Sequence, residues 1–131
     1  MKSTSTLVNN KIVAKIGTAE EQLTVNSPLE AVLGCLGNCT IHTIMFHAGK
    51  NKVKINNIEV EVDGVYDTDL FLGKKEGRNT FSTINLKTKV YSSEDQAKVK
   101  HVIEEGHKYC PVLGTLKLAG IDIKSDTKYL I

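Results

Sequence analysis

Three cysteines are the residues of this 131-residue chain whose type and spacing could do redox or nucleophilic chemistry. Cys35 and Cys39 lie one helical turn apart, and Cys110 stands immediately before a proline. A thiol reacts only as a thiolate, which needs positive charge, a helix N-terminus or a base nearby. An odd number of cysteines also argues against a disulfide scaffold. The pattern therefore indicates free thiols with chemistry of their own.

The three thiols differ in their local setting. Cys110 precedes a helix that begins at Pro111, and His107 and Lys108 lie within one turn of it. A helix N-terminus and neighbouring cations lower a thiol pKa, so the local sequence favours Cys110 as the more acidic thiol. Cys35 and Cys39 have no such help within their own helix. The interpretation of those two as packed core thiols therefore stays open.

A metal site is the second interpretation of the same residues. Cys35, Cys39 and His42 stand at i, i+4 and i+7 of one helix, with His107 or Cys110 available as a fourth ligand. Mixed thiolate and imidazole ligands suit zinc. Structural zinc ligands, however, more often come as Cys-x-x-Cys pairs on turns.

The first two cysteines lie on a helix that we expect to be the core of the fold. Ser27 and Glu30 form a capping box, Pro28 suits the first helical position, and Gly49 suits a left-handed exit. The segment is about six turns long. It has no charged residue between Glu30 and His42, so we expect it to be buried nearly all round, and we favour a core helix over a membrane span.

The remaining segments predict strands around this helix. Short apolar runs in residues 1–26 indicate two or three antiparallel strands, with a hairpin at Asn9-Asn10. Residues 55–65 alternate apolar and acidic side chains, which predicts a half-buried strand. A loose loop at 67–79 separates it from a second alternating strand at 81–91.

The C-terminal third predicts two helices and a final strand or strands. Ser93 is the expected cap of a one-faced helix that ends near Cys110. Cys110 would then cap a short helix over 111–118 that ends at Gly120. Apolar residues between 121 and 131 supply the last strand or strands. The fold class is α+β, and we expect a single domain over residues 1–131.

The amino-acid composition argues against some classes of binding partner. The formal net charge is +2, from 17 basic and 15 acidic residues, and the chain has no Trp and three Phe. These numbers give no electrostatic footprint and no stacking platform for nucleic acid. The first residues contain no apolar core of the length that a secretory signal needs, so we expect a cytoplasmic protein.

Two motifs carry a resemblance to a known family. The run SPLEAVLGCLGNCT and the later run HKYCPVLGTL resemble the two signatures of the OsmC/Ohr family, the osmotically induced and organic hydroperoxide resistance proteins. Cys39 falls on the family's first, peroxide-attacking cysteine, and Cys110 on its second, resolving cysteine. Cys35 falls where the family usually has a small residue.

The resemblance implies thiol-dependent reduction of hydroperoxides, preferably organic ones, with an external dithiol as reductant and no metal or organic cofactor. It also implies an intertwined homodimer around paired central helices. A small-residue face formed by Ala31, Gly34, Cys35 and Asn38 would let another helix approach closely. A non-catalytic protein that binds a small apolar ligand is the remaining alternative.

The chain departs from the family at the groups that hold the attacking thiolate. Family peroxidases use an arginine from the N-terminal strands, whereas the only arginine here is Arg78, and lysines 2, 11 and 15 lack its planar fork. Glu30 is our candidate for the family glutamate, although it stands one place later than in the best-studied branch, and it also fits a capping box. We therefore expect weak peroxidase activity from Cys39, Cys110 and Glu30.

Overall fold

The computed structural model describes residues 1–18, 20, 21 and 23–131. Within these residues the chain is mixed α+β, with four helices and two three-stranded sheets, as the sequence predicts. It divides into two compact units, Met1–Val32 and Leu33–Ile131, and the division falls inside the first helix. In chain order the elements are β1 (Ser3–Val8), β2 (Lys11–Ile16), β3 (Leu23–Thr24), α1 (Pro28–Lys50), β4 (Asn57–Val65), α2 (Thr68–Phe71), β5 (Thr83–Tyr91), α3 (Gln96–Tyr109), α4 (Pro111–Leu118) and β6 (Asp122–Leu130).

The first unit holds an antiparallel sheet in the order β1-β2-β3. Its hairpin turns at Asn9 and Asn10, whose φ angles of 50° and 62° are those of the tight turn that matches strand twist. The predicted Asn-Asn hairpin is therefore confirmed. Leu7 pairs with Ile12 on one face of this sheet, and both side chains are well exposed.

The second unit is built on the sheet β4-β5-β6, in which β5 pairs antiparallel with β4 and parallel with β6. The parallel pair is joined by α3 and α4, the helical crossover that such a pair needs. The predicted alternation in β4 is confirmed, because Glu59 and Glu61 face water opposite Lys89 and Lys87. The other face of β5 supplies the buried Ile84, Leu86, Thr88 and Val90.

Helix α1 confirms the predicted central helix but not the predicted burial on all sides. One stripe is buried, and its members are Leu33, Leu36, Gly37, Thr40, Ile44, His47 and Ala48. Cys35, Met45 and Phe46 are exposed on the remaining surface, because both hydrophobic clusters of the second unit lie on one side of the helix. Among the described helices, α1 alone is long and apolar enough to cross a membrane, a test that the core helix of a globular protein also passes.

Helix α3 starts later than its sequence suggests. Asp95, rather than Ser93, is the residue before its first turn, and the neighbouring Ser92 hydroxyl accepts a hydrogen bond from the Glu94 N–H. The predicted short helix from Pro111 to Leu118 is confirmed, and Gly120 with φ 79° ends it in the left-handed region.

The segment between β4 and β5 is more ordered than the loose loop predicted for it. Asp67 caps the four-residue helix α2 through a bond from the Asp69 N–H (3.0 Å), and the Lys75 ammonium donates to its carboxylate (2.6 Å). Arg78 Nη2 donates to the Ala119 carbonyl. The Arg78 hydrogen bond therefore connects the segment to the C-terminal end of α4.

Candidate active site

The site is built where α1 meets the junction of α3 and α4. Cys39 is half-buried on α1, and Cys110 ends α3, begins α4 and is 2% exposed. Cys39 packs against the hydrophobic cluster that contains Cys110, close enough to raise the pKa of the Cys110 thiol, and all three cysteines of the chain are free. We call Cys39 and Cys110 the thiol pair. They come from helices far apart in sequence, so only the fold brings them together.

Proline determines the backbone at this junction. Cys110 is extended (φ −73°, ψ 112°), which is the conformation that the residue before a proline prefers. Helix α3 therefore ends and α4 begins at the same residue. The Cys110 side chain packs into the cluster that contains Leu36 and Leu113, beside Cys39.

Helix α3 approaches α1 closely just before this junction. A side chain on Gly106 would lie 3.0 Å from the Cα of Ile44 and 3.1 Å from its nitrogen. Only a glycine lets the two backbones come this near. The close approach holds the end of α3, and therefore Cys110, against α1.

The electrostatics of Cys110 oppose the expectation from its local sequence. Burial raises the pKa of the Cys110 thiol above its ordinary value, and the neighbouring Cys39 thiol raises the pKa further. A hydrogen bond from the Leu113 backbone N–H and one with the Thr40 hydroxyl lower the pKa, but burial prevails. The prediction that Cys110 is an acidic thiol was therefore wrong, because sequence proximity does not register desolvation.

The two neighbouring cations do not act on Cys110 as predicted. Burial lowers the pKa of His107, with a smaller contribution from Lys117, so its imidazole is neutral near pH 7. Its Nε2 is buried and has no hydrogen-bond partner within the described part of the chain. Lys108 lies over the ring of Tyr109, with Nζ 5.2 Å from the centroid.

Comparison with known proteins identifies the family. A sequence model of the family described as OsmC-like protein matches residues 21–126, most of the chain. The chain belongs to the OsmC-like family. The resemblance read from its two motifs is thus confirmed. A search of curated proteins found no match to this sequence.

Solved structures share the OsmC-like fold along nearly the whole length of this chain. An OsmC-like protein from Mycoplasma pneumoniae is 22% identical, with a TM-score of 0.84 over 99% of this chain and 96% of that one. The organic hydroperoxide resistance protein OhrB of Bacillus subtilis is 16% identical, with a TM-score of 0.61 over 97% and 96%. An organic hydroperoxide resistance protein from Elizabethkingia anophelis is 13% identical, with a TM-score of 0.71 over 97% and 94%. At these identities the likeness shows the fold.

Cys35 and Arg78 of this OsmC-like protein do not join the thiol pair. Cys35 is exposed on α1. Glu30 is exposed in the first turn of α1, within the first unit, and Lys11 and Lys15 lie on β2 of that unit. Arg78 binds the C-terminal end of α4, and about 12 Å of helix separates that end from Cys110 at the other.

The predicted alternative of a zinc site finds no support in the described residues, which contain no cluster of three or more His, Cys, Asp or Glu side chains placed to hold a metal ion. Cys35 and His42 are exposed along α1, whereas Cys39 turns to the core.

A groove of about 620 Å³ lies between the C-terminal halves of α1 and α3. Phe46, His47 and Tyr109 supply aromatic walls, with the His47 and Tyr109 rings stacked 5.1 Å apart. Lys50 and Glu105 supply charges at its margin. Tyr109 precedes Cys110 in the chain, and His42 lies about one turn after Cys39, but neither cysteine lines the groove. No local pattern in the sequence predicts this groove.

Thr40 is the second feature that the sequence analysis missed. It is fully buried, donates to the Leu36 carbonyl (2.8 Å), and its Oγ1 lies 4.0 Å from Cys110 Sγ. The only sequence signal was its place in the Cys-Thr end of the first motif.

Proposed function

We propose that this OsmC-like protein reduces organic hydroperoxides through a redox cycle of the thiol pair. The observation that carries the proposal is that two helices far apart in sequence bring the Cys39 and Cys110 side chains together at one hydrophobic cluster. The names of the structural neighbours from Bacillus subtilis and Elizabethkingia anophelis, both organic hydroperoxide resistance proteins, favour a peroxide-related role.

Cys39 acts first in the proposed cycle. Its thiolate attacks the peroxide, so that an S–O bond forms, the O–O bond breaks, and the alkoxide leaves with a proton as an alcohol. Cys110 then attacks the sulfenic sulfur, an S–S bond forms, and hydroxide leaves with a proton as water. An external dithiol returns both cysteines to thiols and is itself oxidised to a disulfide. The raised pKa of Cys110 suits this order, because a protonated Cys110 can donate its S–H to the Cys39 sulfur.

The groove between α1 and α3 suits a small organic substrate. Its aromatic walls can contact an apolar body, and the groove begins about one helical turn beyond Cys39 along α1. The same groove favours the second candidate function, binding of a small amphipathic ligand without turnover. The two functions differ in whether the thiol pair is oxidised when ligand is present.

Turnover is expected to be slow. A thiolate at a half-buried position loses hydration, and an arginine normally compensates by charge and bidentate hydrogen bonding. Here Arg78 binds the opposite end of α4. We propose Glu30 only as a contributor to the site.

We further propose that the protein is a homodimer. No charged residue occurs from 31 to 49 of α1, yet Cys35, Met45 and Phe46 are exposed within one chain. An uncharged face of this length is unusual on a surface helix and suits a second copy of α1. Sedimentation is expected to give about twice 14.4 kDa, and a stable monomer at micromolar concentration would contradict the dimer.

The deciding experiment for the peroxidase function follows cumene hydroperoxide consumption with dithiothreitol as reductant. Cys39→Ser is expected to abolish turnover, and Cys110→Ser is expected to leave a sulfenic acid on Cys39 that dimedone traps. Cys35→Ser is the matched control, because this exposed thiol takes no part in the cycle. Ligand-dependent stabilisation without any oxidation of the thiol pair would favour the binding protein instead.

A further inference from the structure

Thr40 occupies a buried position from which its hydroxyl reaches both the backbone of α1 and the sulfur of Cys110. Its proton goes to the Leu36 carbonyl at 2.8 Å, and its oxygen lies 4.0 Å from the sulfur, the outer limit for a hydrogen bond to sulfur. A hydroxyl carries one proton and can give it to one acceptor at a time. The two acceptors therefore compete for it.

The two acceptors differ in what they lose without the hydroxyl. The Leu36 carbonyl lies inside α1, where the Thr40 backbone N–H already donates to it. A Cys110 thiolate, in contrast, has the Leu113 N–H as its main backbone donor in a buried setting. Hydrogen bonds to charged groups are about twice as strong as those between neutral groups. The hydroxyl proton is consequently worth more at the thiolate than at the carbonyl.

We propose that Thr40 is a positioning residue for the second half of the cycle: its hydroxyl turns from the Leu36 carbonyl to donate to the Cys110 thiolate as that thiolate attacks oxidised Cys39. This inference rests on the proposed peroxidase function. In the attack, the Cys110 proton is lost, the S–S bond forms, the S–O bond of the sulfenic acid breaks, and the hydroxide takes a proton to leave as water. No oxidant other than the hydroperoxide is required.

The first experiment measures the ionisation of the Cys110 thiol and requires no peroxide. In protein labelled with ¹³C at the cysteine Cβ, the Cys110 resonance is titrated against pH in a Cys35→Ser background. Thr40→Val keeps the shape of the side chain and removes its hydroxyl. We expect the thiolate fraction of Cys110 at a given pH to be about tenfold lower, which is the effect of losing one hydrogen bond to a charged group. Thr40→Ser, which keeps the hydroxyl, should titrate like the parent protein.

Thr115→Val is the matched control. Thr115 makes the same kind of bond, to the Pro111 carbonyl at 2.8 Å, on the exposed side of the helix that Cys110 begins. Its loss should leave the Cys110 titration unchanged. Should Thr40→Val fail to fold, Thr40→Ala takes its place under the same criterion.

The second experiment separates the two half-reactions. After one equivalent of cumene hydroperoxide, quenching and mass spectrometry give the rates of sulfenic acid and disulfide formation. Thr40→Val should slow disulfide formation about tenfold, yet leave sulfenic acid formation unchanged when measured in the Cys110→Ser background. An unchanged titration and disulfide rate would overturn the role of Thr40, and so would Thr40→Ser behaving like Thr40→Val. If Cys110→Ser yields no sulfenic acid, the peroxidase function is wrong, and the titration alone then decides whether Thr40 donates to the thiolate.

Discussion

Replacement of Gly106 by alanine tests whether the close approach of α3 to α1 supports both stability and the thiol pair. Within a helix, alanine is favoured over glycine by about 1 kcal/mol. At position 106, however, the added Cβ meets the Ile44 Cα at 3.0 Å and the Ile44 nitrogen at 3.1 Å, and it lies still closer to Cγ1. A side-chain carbon can rotate away, but two backbone atoms of α1 cannot.

The cost of this overlap exceeds the gain in helix propensity. Overpacking a core costs about 1–3 kcal/mol, and contact with backbone places this case at the upper end. We expect Gly106→Ala to lower the free energy of unfolding by about 1–2 kcal/mol after the gain in propensity. The helices must also separate by a few tenths of an ångström, which moves Cys110 away from Cys39 and slows disulfide formation.

The assay is urea unfolding at one fixed protein concentration, because dimerisation would make stability depend on concentration. Gly114→Ala is the matched control, since Gly114 is exposed in α4 and nothing lies within 4 Å of an added Cβ. It should raise the free energy of unfolding by up to about 1 kcal/mol. If Gly106→Ala is as stable as Gly114→Ala, the close approach that we describe does not constrain the fold.

Three further predictions concern the surroundings of the thiol pair. Peptide mapping after one equivalent of hydroperoxide should find the disulfide within the pair and Cys35 reduced, because neighbouring turns of one helix do not give converging disulfide geometry; a bridge to Cys35 would contradict the assignment. Arg78→Ala should lower the free energy of unfolding by about 0.5–1.5 kcal/mol without changing sulfenic acid formation, and a loss of that step would mean that Arg78 serves the site. The pKa of His107 is lowered in the folded protein, so the unfolded chain binds the proton more readily. The free energy of unfolding of the parent protein should therefore fall as the pH drops below about 6.5. His107→Leu removes this titrating group and should make the loss of stability on acidification smaller. Urea midpoints at pH 7.5 and 5.5 measure the difference, and equal slopes for the variant and the parent would refute it.

Most elements of the fold follow from local signals in the sequence. The Asn9-Asn10 turn, the alternation in β4 and the proline that starts α4 each act within a few residues, so the sequence predicts them. The predicted start of α3 at Ser93 was wrong for a different reason. The Ser92 hydroxyl donates to the Lys54 carbonyl 38 residues away, and no local pattern contains that contact.

The burial of α1 shows a second limit of sequence reasoning. Absence of charge correctly predicts a long central helix, but it does not say which surface covers each side. In one chain the stripe through Leu36, Thr40 and Ile44 faces the core, while the side with Cys35 and Phe46 is left exposed. Hydrophobicity indicates that a face needs cover, whereas the identity of the cover depends on tertiary or quaternary contacts.

The acidity of the thiol pair is where local and three-dimensional reasoning differ most. The sequence places two basic residues and a helix N-terminus beside Cys110. Without burial, all three would lower the pKa of the Cys110 thiol. In the fold, burial neutralises His107 and raises the pKa of Cys110 itself, while Lys108 lies over the Tyr109 ring. In the proposed cycle, Cys110 therefore stays protonated until Cys39 is oxidised, and it becomes a nucleophile when its proton is taken up. The hydroxide that leaves the proposed sulfenic acid on Cys39 needs that proton. A Cys110 thiol of raised pKa would react slowly with external oxidants and remain available to oxidised Cys39, which is the selectivity that we propose for a resolving thiol.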